Sequence, residues 1–296
     1  MSTNIGEEEV PLYQRYIGDR TELWFFGSGI GEYTMFQQMG DSFLTLIDQG
    51  EDPELGKIMF SIGHGVTAYM AYRGDYNVCW IWAIAPKEVN MYLRGLSCKQ
   101  NLLISSEPEI NASAEVEGLA SLNMCGGINP RLFYPLGLER RGIAYAGLDN
   151  KSEHQRRIVV EPAMRRGGFE WVSRFKDGLM TIDQLNRYYN TKQIMLGMVD
   201  ENRHNLPYIP TRVMETLATG TPLITYRLYE HEKTLGFHYP YMTESAEQTT
   251  ELIDRILGDF DTVLWEMKGY AQKVVELHNY EDKLRLIFKA LKETEK

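Results

Sequence analysis

Short apolar runs rich in β-branched and aromatic residues alternate along the chain with longer stretches whose apolar positions recur at helical spacing. The short runs of the first half are ELWFFG (22–27), KIMFSIG (57–63), NVCWIWA (77–83), NLLIS (101–105) and SLNMCGG (121–127). Between them lie helix-like stretches such as EYTMFQQMGDSFLTLIDQG, GVTAYMAYRGD and PKEVNMYLRGL. A short β-rich run bounded by turn residues predicts a strand, and helical recurrence predicts a helix. Their regular alternation predicts parallel α/β architecture.

INPRLFYPLGLERR (128–141) breaks the rhythm with two prolines and no periodicity, and reads as a domain linker. The pattern then restarts. GIAYAG, FEWVSRF, QIMLGMV and PLITYR are predicted strands. SEHQRRIVVEPAMRRGG, IDQLNRYYNTK, TRVMETLATG and SAEQTTELIDRIL are predicted helices, as is the tail after Asp259. This divides the chain into an N-terminal domain, 1–135, and a C-terminal domain, 136–296. Two such units in series would place a cleft at the carboxyl ends of both sheets.

Composition narrows the class. Hydrophobic residues make up 43% and charged residues 24% of 296, as in a soluble globular protein. No apolar run reaches the length of a membrane span, and the acidic, polar start is unlike a signal peptide. A cytoplasmic protein with reduced thiols is expected, because Cys79, Cys98 and Cys125 are widely separated and have no metal-ligand spacing. The net charge of −10 is unevenly spread: residues 1–140 hold 9 basic and 18 acidic residues, residues 141–296 hold 22 and 23. The acidic first half disfavours nonspecific nucleic-acid binding, whereas the basic stretch from Arg141 to Arg212 suits a small phosphorylated ligand.

Several residues stand out. YAGLDNKSEHQRR (145–157) leaves a strand and enters a helix; Gly147 lets a ligand approach the backbone, and Arg156 adds charge. An ordinary βα turn with a solvated basic face has the same pattern. FGSGIGE (26–32) is a poor dinucleotide fingerprint, since Glu32 replaces the third glycine. His64 in SIGHG suits a general base and equally a capping or buried histidine. Glu107 and Glu109 in LLISSEPEI follow a strand end, where a carboxylate can take a proton from an acceptor hydroxyl or simply cap the next segment. In PTRVMETLATGTPLIT (210–225), Arg212 and Glu215 share a helix face within an apolar run. Arg212 falls in the first turn, where the dipole disfavours a cation. A buried Arg–Glu pair accounts for this, and so does a diphosphate bound by Arg212 with Glu215 reading a ribose.

The YAG turn, the YYNTKQIMLGMVDENRHNLPYIPTRVMETLATGTPLIT segment and TESAEQTTELIDRIL together resemble the nucleotide-sugar domain of GT-B glycosyltransferases. The turn and the RVMET helix are similar to those of phage DNA β-glucosyltransferases, which glucosylate 5-hydroxymethylcytosine in DNA. GINPRLFYP and the R-x-x-E-x-x-A-x-G helix also resemble the CgeB-like group. The resemblance spans about residues 125–290 and implies a GT-B fold with two Rossmann-like domains. It implies a nucleotide-sugar donor, with a UDP-sugar leading, held by Gly147, Arg156, Arg212 and Glu215. The DNA-modifying family places a catalytic Asp after an N-domain strand, and Glu107 stands there in this chain, with His64 as the other candidate base. The implied acceptor is a hydroxymethylated pyrimidine in DNA, or a protein or surface glycan on the CgeB-like side; a non-catalytic nucleotide-sugar-binding module is the alternative from another class. No metal ligands are assigned, so metal-independent transfer is expected, with a divalent ion admitted only at product release. No membrane association is expected.

Overall fold

The computed structural model describes residues 12–27, 30–62, 74–81, 101–147, 152–173, 180–199 and 206–294. The chain clusters into two compact units, Met1–Met124 with Glu281–Lys296, and Cys125–Tyr280.

The first unit is built on a six-stranded sheet in the order β1-β2-β3-β4-β5-β6. Its strands are β1 (Leu12–Ile17), β2 (Thr21–Gly27), β3 (Gly56–Ile62), β4 (Tyr76–Trp80), β5 (Asn101–Ser105) and β6 (Ala120–Asn123). All neighbours are parallel except β1 and β2, which form a hairpin closed by Gly18 N–H donating to Thr21 O at 2.8 Å. The sequence pattern did not reveal β1, because LYQRYI is half polar and carries Arg15, which pairs across the hairpin with Glu22 at 3.0 Å. Helix α1 (Ile30–Asp48) and helix α2 (Pro108–Val116) connect strands of this sheet. Phe25 stacks between Phe36 of α1 and Phe60 of β3, with ring centroids 5.3 and 5.0 Å apart. All three are fully buried, so α1 is fixed on the sheet by aromatic packing.

The second unit has a five-stranded sheet in the order β11-β10-β9-β7-β8, parallel throughout. Its strands are β7 (Ile143–Ala146), β8 (Phe169–Val172), β9 (Ile194–Gly197), β10 (Leu223–Tyr226) and β11 (Met242–Thr243). After β7 come α3 (Glu153–Gln155), a π-helical turn (Arg156–Val160) and α4 (Glu161–Arg166). The π turn has a local cause. Pro162 has no N–H to donate, and its ring would crowd a regular helical turn. Widening that turn, so that Glu161 N–H reaches Arg156 O, absorbs the misfit. The remaining helices among the described residues are α5 (Ile182–Asn190), α6 (Thr211–Ala218), α7 (His231–Leu235), α8 (Ala246–Gly258), α9 (Phe260–His278) and α10 (Tyr280–Glu293).

The segment expected to be a linker is part of the second unit. Ile128 bridges to Asn279, Phe133 is fully buried in the core, and Asn186 and Asn190 accept the Tyr134 and Leu136 amides. The final helix belongs with the first unit, where Phe288 packs edge-on against Phe43 and Arg285 pairs with Glu51 at 2.7 Å. None of the described helices is long and apolar enough to cross a membrane.

Candidate functional site

The order of the second sheet points to a candidate site before any side chain is considered. From β7 the chain moves outward to β8, then returns past β7 to β9 and continues to β10 and β11. The order therefore reverses between β7 and β9. In open α/β sheets, ligands bind outside the carboxyl ends of the strands at such a reversal. The segment leaving β7 begins with Gly147, and the segment leaving β9 leads to α6, which carries Arg212 and Glu215.

Helix α6 starts without a side-chain cap. Pro210 is its N-cap residue and Thr211 its first helical residue. Arg212 in the first turn is half-buried, and its Nη1 is shut off from solvent and makes no hydrogen bond of normal geometry, with the Tyr145 hydroxyl as its neighbouring acceptor. Burial opposes its charge, but Tyr145, Tyr189 and Glu215 together hold the guanidinium above its ordinary range, so it is cationic at any working pH. Its guanidinium carbon lies 5.4 Å from the centroid of the Tyr145 ring.

Arg140 makes the contrast clear. Its guanidinium donates to the carbonyl oxygens of Tyr189, Lys192 and Thr219 and to the Thr221 hydroxyl. Burial lowers its pKa to about 10, which still leaves it charged at neutral pH. That arginine is saturated and structural, tying the start of the sheet to α5 and the end of α6. Arg212 keeps a buried donor in reserve, a feature that calls for an explanation in a native fold.

Gly147 explains part of how Arg212 is held. A Cβ there would lie 2.5 Å from Arg212 Nη1 and 2.4 Å from the Tyr145 hydroxyl. The residue is glycine because these two side chains close directly over its backbone. Gly147→Ala should therefore displace both and cost about 1–3 kcal/mol by overpacking. A denaturant titration of the variant checks this; an unchanged midpoint would show that the turn has room to spare.

Arg156 approaches the same aromatic framework from another direction. Tyr145 and Trp171 pack edge to face at 5.1 Å, and the Arg156 guanidinium carbon lies 5.5 Å from the Trp171 ring. The π turn places Arg156 at this position, exposed and beside an aromatic face. Trp171 Nε1 and the Tyr145 hydroxyl are also buried without a hydrogen bond of normal geometry. The structure thus brings Gly147, Arg212 and Arg156 around one aromatic pair that sequence reading had not singled out. The legible signal was the aromatic at the paired position of each of the neighbouring strands β7 and β8.

Glu215 is 1% exposed and accepts a hydrogen bond from the Tyr189 hydroxyl at 3.3 Å. Tyr280 flanks it: burial above all, then the charge of Glu215, pushes that phenol far above its ordinary range, with the Gly127 backbone opposing part of the shift. The Tyr280 hydroxyl is buried without a well-formed hydrogen bond. Glu215 therefore sits deeper than Arg212, in a pocket of phenols. Gln155, also missed in the sequence, fixes the neighbouring segment, its Oε1 accepting Val199 N–H at 2.8 Å.

Glu107 belongs to the first unit. It follows β5, is 5% exposed, and opens α2 without a side-chain cap bond to the helix. Its amide donates to Ser105 Oγ at 3.1 Å, and Asn111 Nδ2 donates to its carbonyl oxygen, so its backbone is pinned on both sides. Glu109 lies in the first turn of α2 and is exposed. His64 lies outside the described residues, as do Ser28 and Gly29 of the FGSGIGE segment.

No protein-family model matches this chain, and no curated protein matches it in sequence. Solved structures do match it in fold. A glycosyltransferase from Rickettsia africae ESF-5 superposes with a TM-score of 0.50 at 9% identity, over 90% of this chain and 83% of that one. TarM superposes with a TM-score of 0.51 at 9% identity, over 86% of this chain and 58% of that one. A DNA-modifying β-glucosyltransferase, solved with and without uridine diphosphoglucose, matches with a TM-score of 0.45 at 11% identity, over 85% of this chain and 92% of that one. The chain has a mixed α/β fold of parallel sheets shared with glycosyltransferases.

Proposed function

We propose that the protein is a glycosyltransferase that takes its sugar from a nucleotide sugar, with a UDP-sugar as the leading donor. The observation that carries this reading is Arg212. It is a cation whose buried Nη1 makes no hydrogen bond of normal geometry, closed over the Gly147 backbone at the reversal point of a parallel sheet. A diphosphate supplies the missing acceptor there, and the uncapped amides of α6 add to its binding. Arg156 would extend the positive field, and Glu215 would accept from ribose hydroxyls.

In this mechanism an acceptor hydroxyl attacks the anomeric carbon and loses its proton to Glu107, with His64 as the other candidate base. The bond from the anomeric carbon to the diphosphate oxygen breaks as the new glycosidic bond forms. Arg212 and the amides near Gly147 neutralise the departing nucleoside diphosphate. The domain roles follow: the first unit, Met1–Met124 with Glu281–Lys296, offers the acceptor side and the second, Cys125–Tyr280, holds the donor. A cytoplasmic location fits such a donor.

The acceptor we carry forward is a 5-hydroxymethylated pyrimidine in DNA, supported by the YAG and RVMET motifs, its base flipped out for transfer. The 18 acidic residues against 9 basic in 1–140 favour a less anionic acceptor, a protein or surface glycan. Incubation with hydroxymethylated and plain duplex DNA and a panel of nucleotide sugars, followed by mass analysis of the nucleosides, decides between them. A hexose or pentose mass gain confined to the hydroxymethylated duplex is expected. No gain with any donor sinks the DNA acceptor.

A further inference from the structure

The second unit carries a cluster that the sequence did not reveal and the donor site does not use. Helix α7 begins at His231, with Glu232 next, and ends at Gly236 in the left-handed conformation (φ 79°). That turn reverses the chain, and Phe237 anchors it in the core. His238 is thereby brought back beside the start of the helix, its ring centroid 5.9 Å from that of His231. His238 Nδ1 lies 2.7 Å from Glu232 Oε1. His231 Nε2 is buried and has no hydrogen-bond partner. One donor atom from each of the three residues lies within 4.8 Å of the others.

We propose that His231, Glu232 and His238 form a binding site for a late first-row divalent cation, with Zn²⁺ the first candidate. Two imidazole nitrogens and one carboxylate oxygen are a donor set that Zn²⁺ takes readily, leaving a fourth tetrahedral position to solvent. The same set discriminates against Mg²⁺ and Ca²⁺, which prefer oxygen alone. Metal–ligand bonds of about 2.0–2.2 Å require donor atoms roughly 3.3 Å apart. Small rotations about χ1 and χ2 of the exposed Glu232 and His238 side chains reach that spacing, opening their 2.7 Å contact and closing the longer separations. The spacing escaped the sequence reading because His231 and His238 are seven residues apart, and only the turn at Gly236 makes them neighbours.

The bound ion would clip the two ends of α7 together. Leu235 is fully buried and its carbonyl oxygen contacts His278 Nε2 at 2.9 Å, so the clip would be linked to the end of α9. The site is independent of the donor reading and would stand if that reading failed.

The test uses the untagged full-length protein after dialysis against EDTA. Zn²⁺ is titrated in competition with a chromophoric chelator, with Mg²⁺ as the control, and Co²⁺ is added separately to record its visible spectrum. One equivalent of Zn²⁺ per chain is expected, together with a Zn²⁺-dependent rise in melting temperature and a tetrahedral Co²⁺ spectrum. His238→Ala, at an exposed position that does not endanger folding, should weaken binding by about tenfold or more. His231→Ala should do the same, and nucleoside diphosphate binding should be unchanged in both. Absence of stoichiometric Zn²⁺ binding overturns the proposal, as does binding that neither histidine variant weakens.

Discussion

Arg212→Ala should lower nucleoside diphosphate affinity by about 10–100-fold while leaving the folded state as stable as before. The affinity loss follows from removing a charged hydrogen-bond donor, worth roughly 1.5–3 kcal/mol, at about 1.4 kcal/mol per tenfold. Turnover should fall further, by about 10²–10³, because the charge on the leaving diphosphate is greatest in the transition state. The stability forecast is the more discriminating half. Nη1 is buried without a normal hydrogen bond, so its desolvation is offset in the free protein only through the neighbouring Tyr145, Tyr189 and Glu215. Deleting it removes that cost and also removes the contact with the Tyr145 ring, worth about 0.5–2 kcal/mol. The two nearly cancel. A structural Arg–Glu pair behaves otherwise: breaking it costs about 3–5 kcal/mol. Calorimetric titration with UDP and a denaturant melt of the same variant separate the cases. Unchanged affinity with a large loss of stability would return Arg212 to the core.

Glu107→Gln should reduce turnover by about 10²–10⁴ while leaving nucleoside diphosphate affinity intact. The amide matches the carboxylate in shape and leaves in place the backbone contacts that pin the residue at the helix start. It cannot accept the acceptor's proton. Steady-state kinetics with saturating donor, beside the UDP titration, resolve the effect into turnover and binding. If Glu107→Gln and His64→Ala both retain full activity, the base lies elsewhere. A loss of donor affinity in Glu107→Gln would instead place the carboxylate in the wrong half of the mechanism.

The two residues differ in how far the sequence could take them. Arg212 and Glu215 were legible as a pair because helix periodicity puts positions three apart on one face. Which of them is satisfied was not legible. That depends on Tyr189, from another helix, reaching Glu215, and on Tyr145 and Arg212 closing together over the Gly147 backbone. Arg140 and Arg212 look alike as letters, yet one meets three carbonyls and a hydroxyl and the other keeps a nitrogen without a normal hydrogen bond. Arg156 was legible as a charge after a turn, but its seat over Trp171 follows from a π turn that Pro162 imposes six residues later.

What the sequence determined by itself was the local periodic content: strands from short β-rich runs, helices from apolar recurrence, the α/β class, and the glycine and arginine that later meet. These are properties of neighbours along the chain, and alternation or helical spacing records them directly. The tertiary structure alone decided the strand order that reverses between β7 and β9, the return of α10 to the first unit, the packing of 128–141 on the second, and the joining of His231 to His238. Each depends on contacts between residues far apart in sequence or on a turn that reverses the chain, and no local period carries that information.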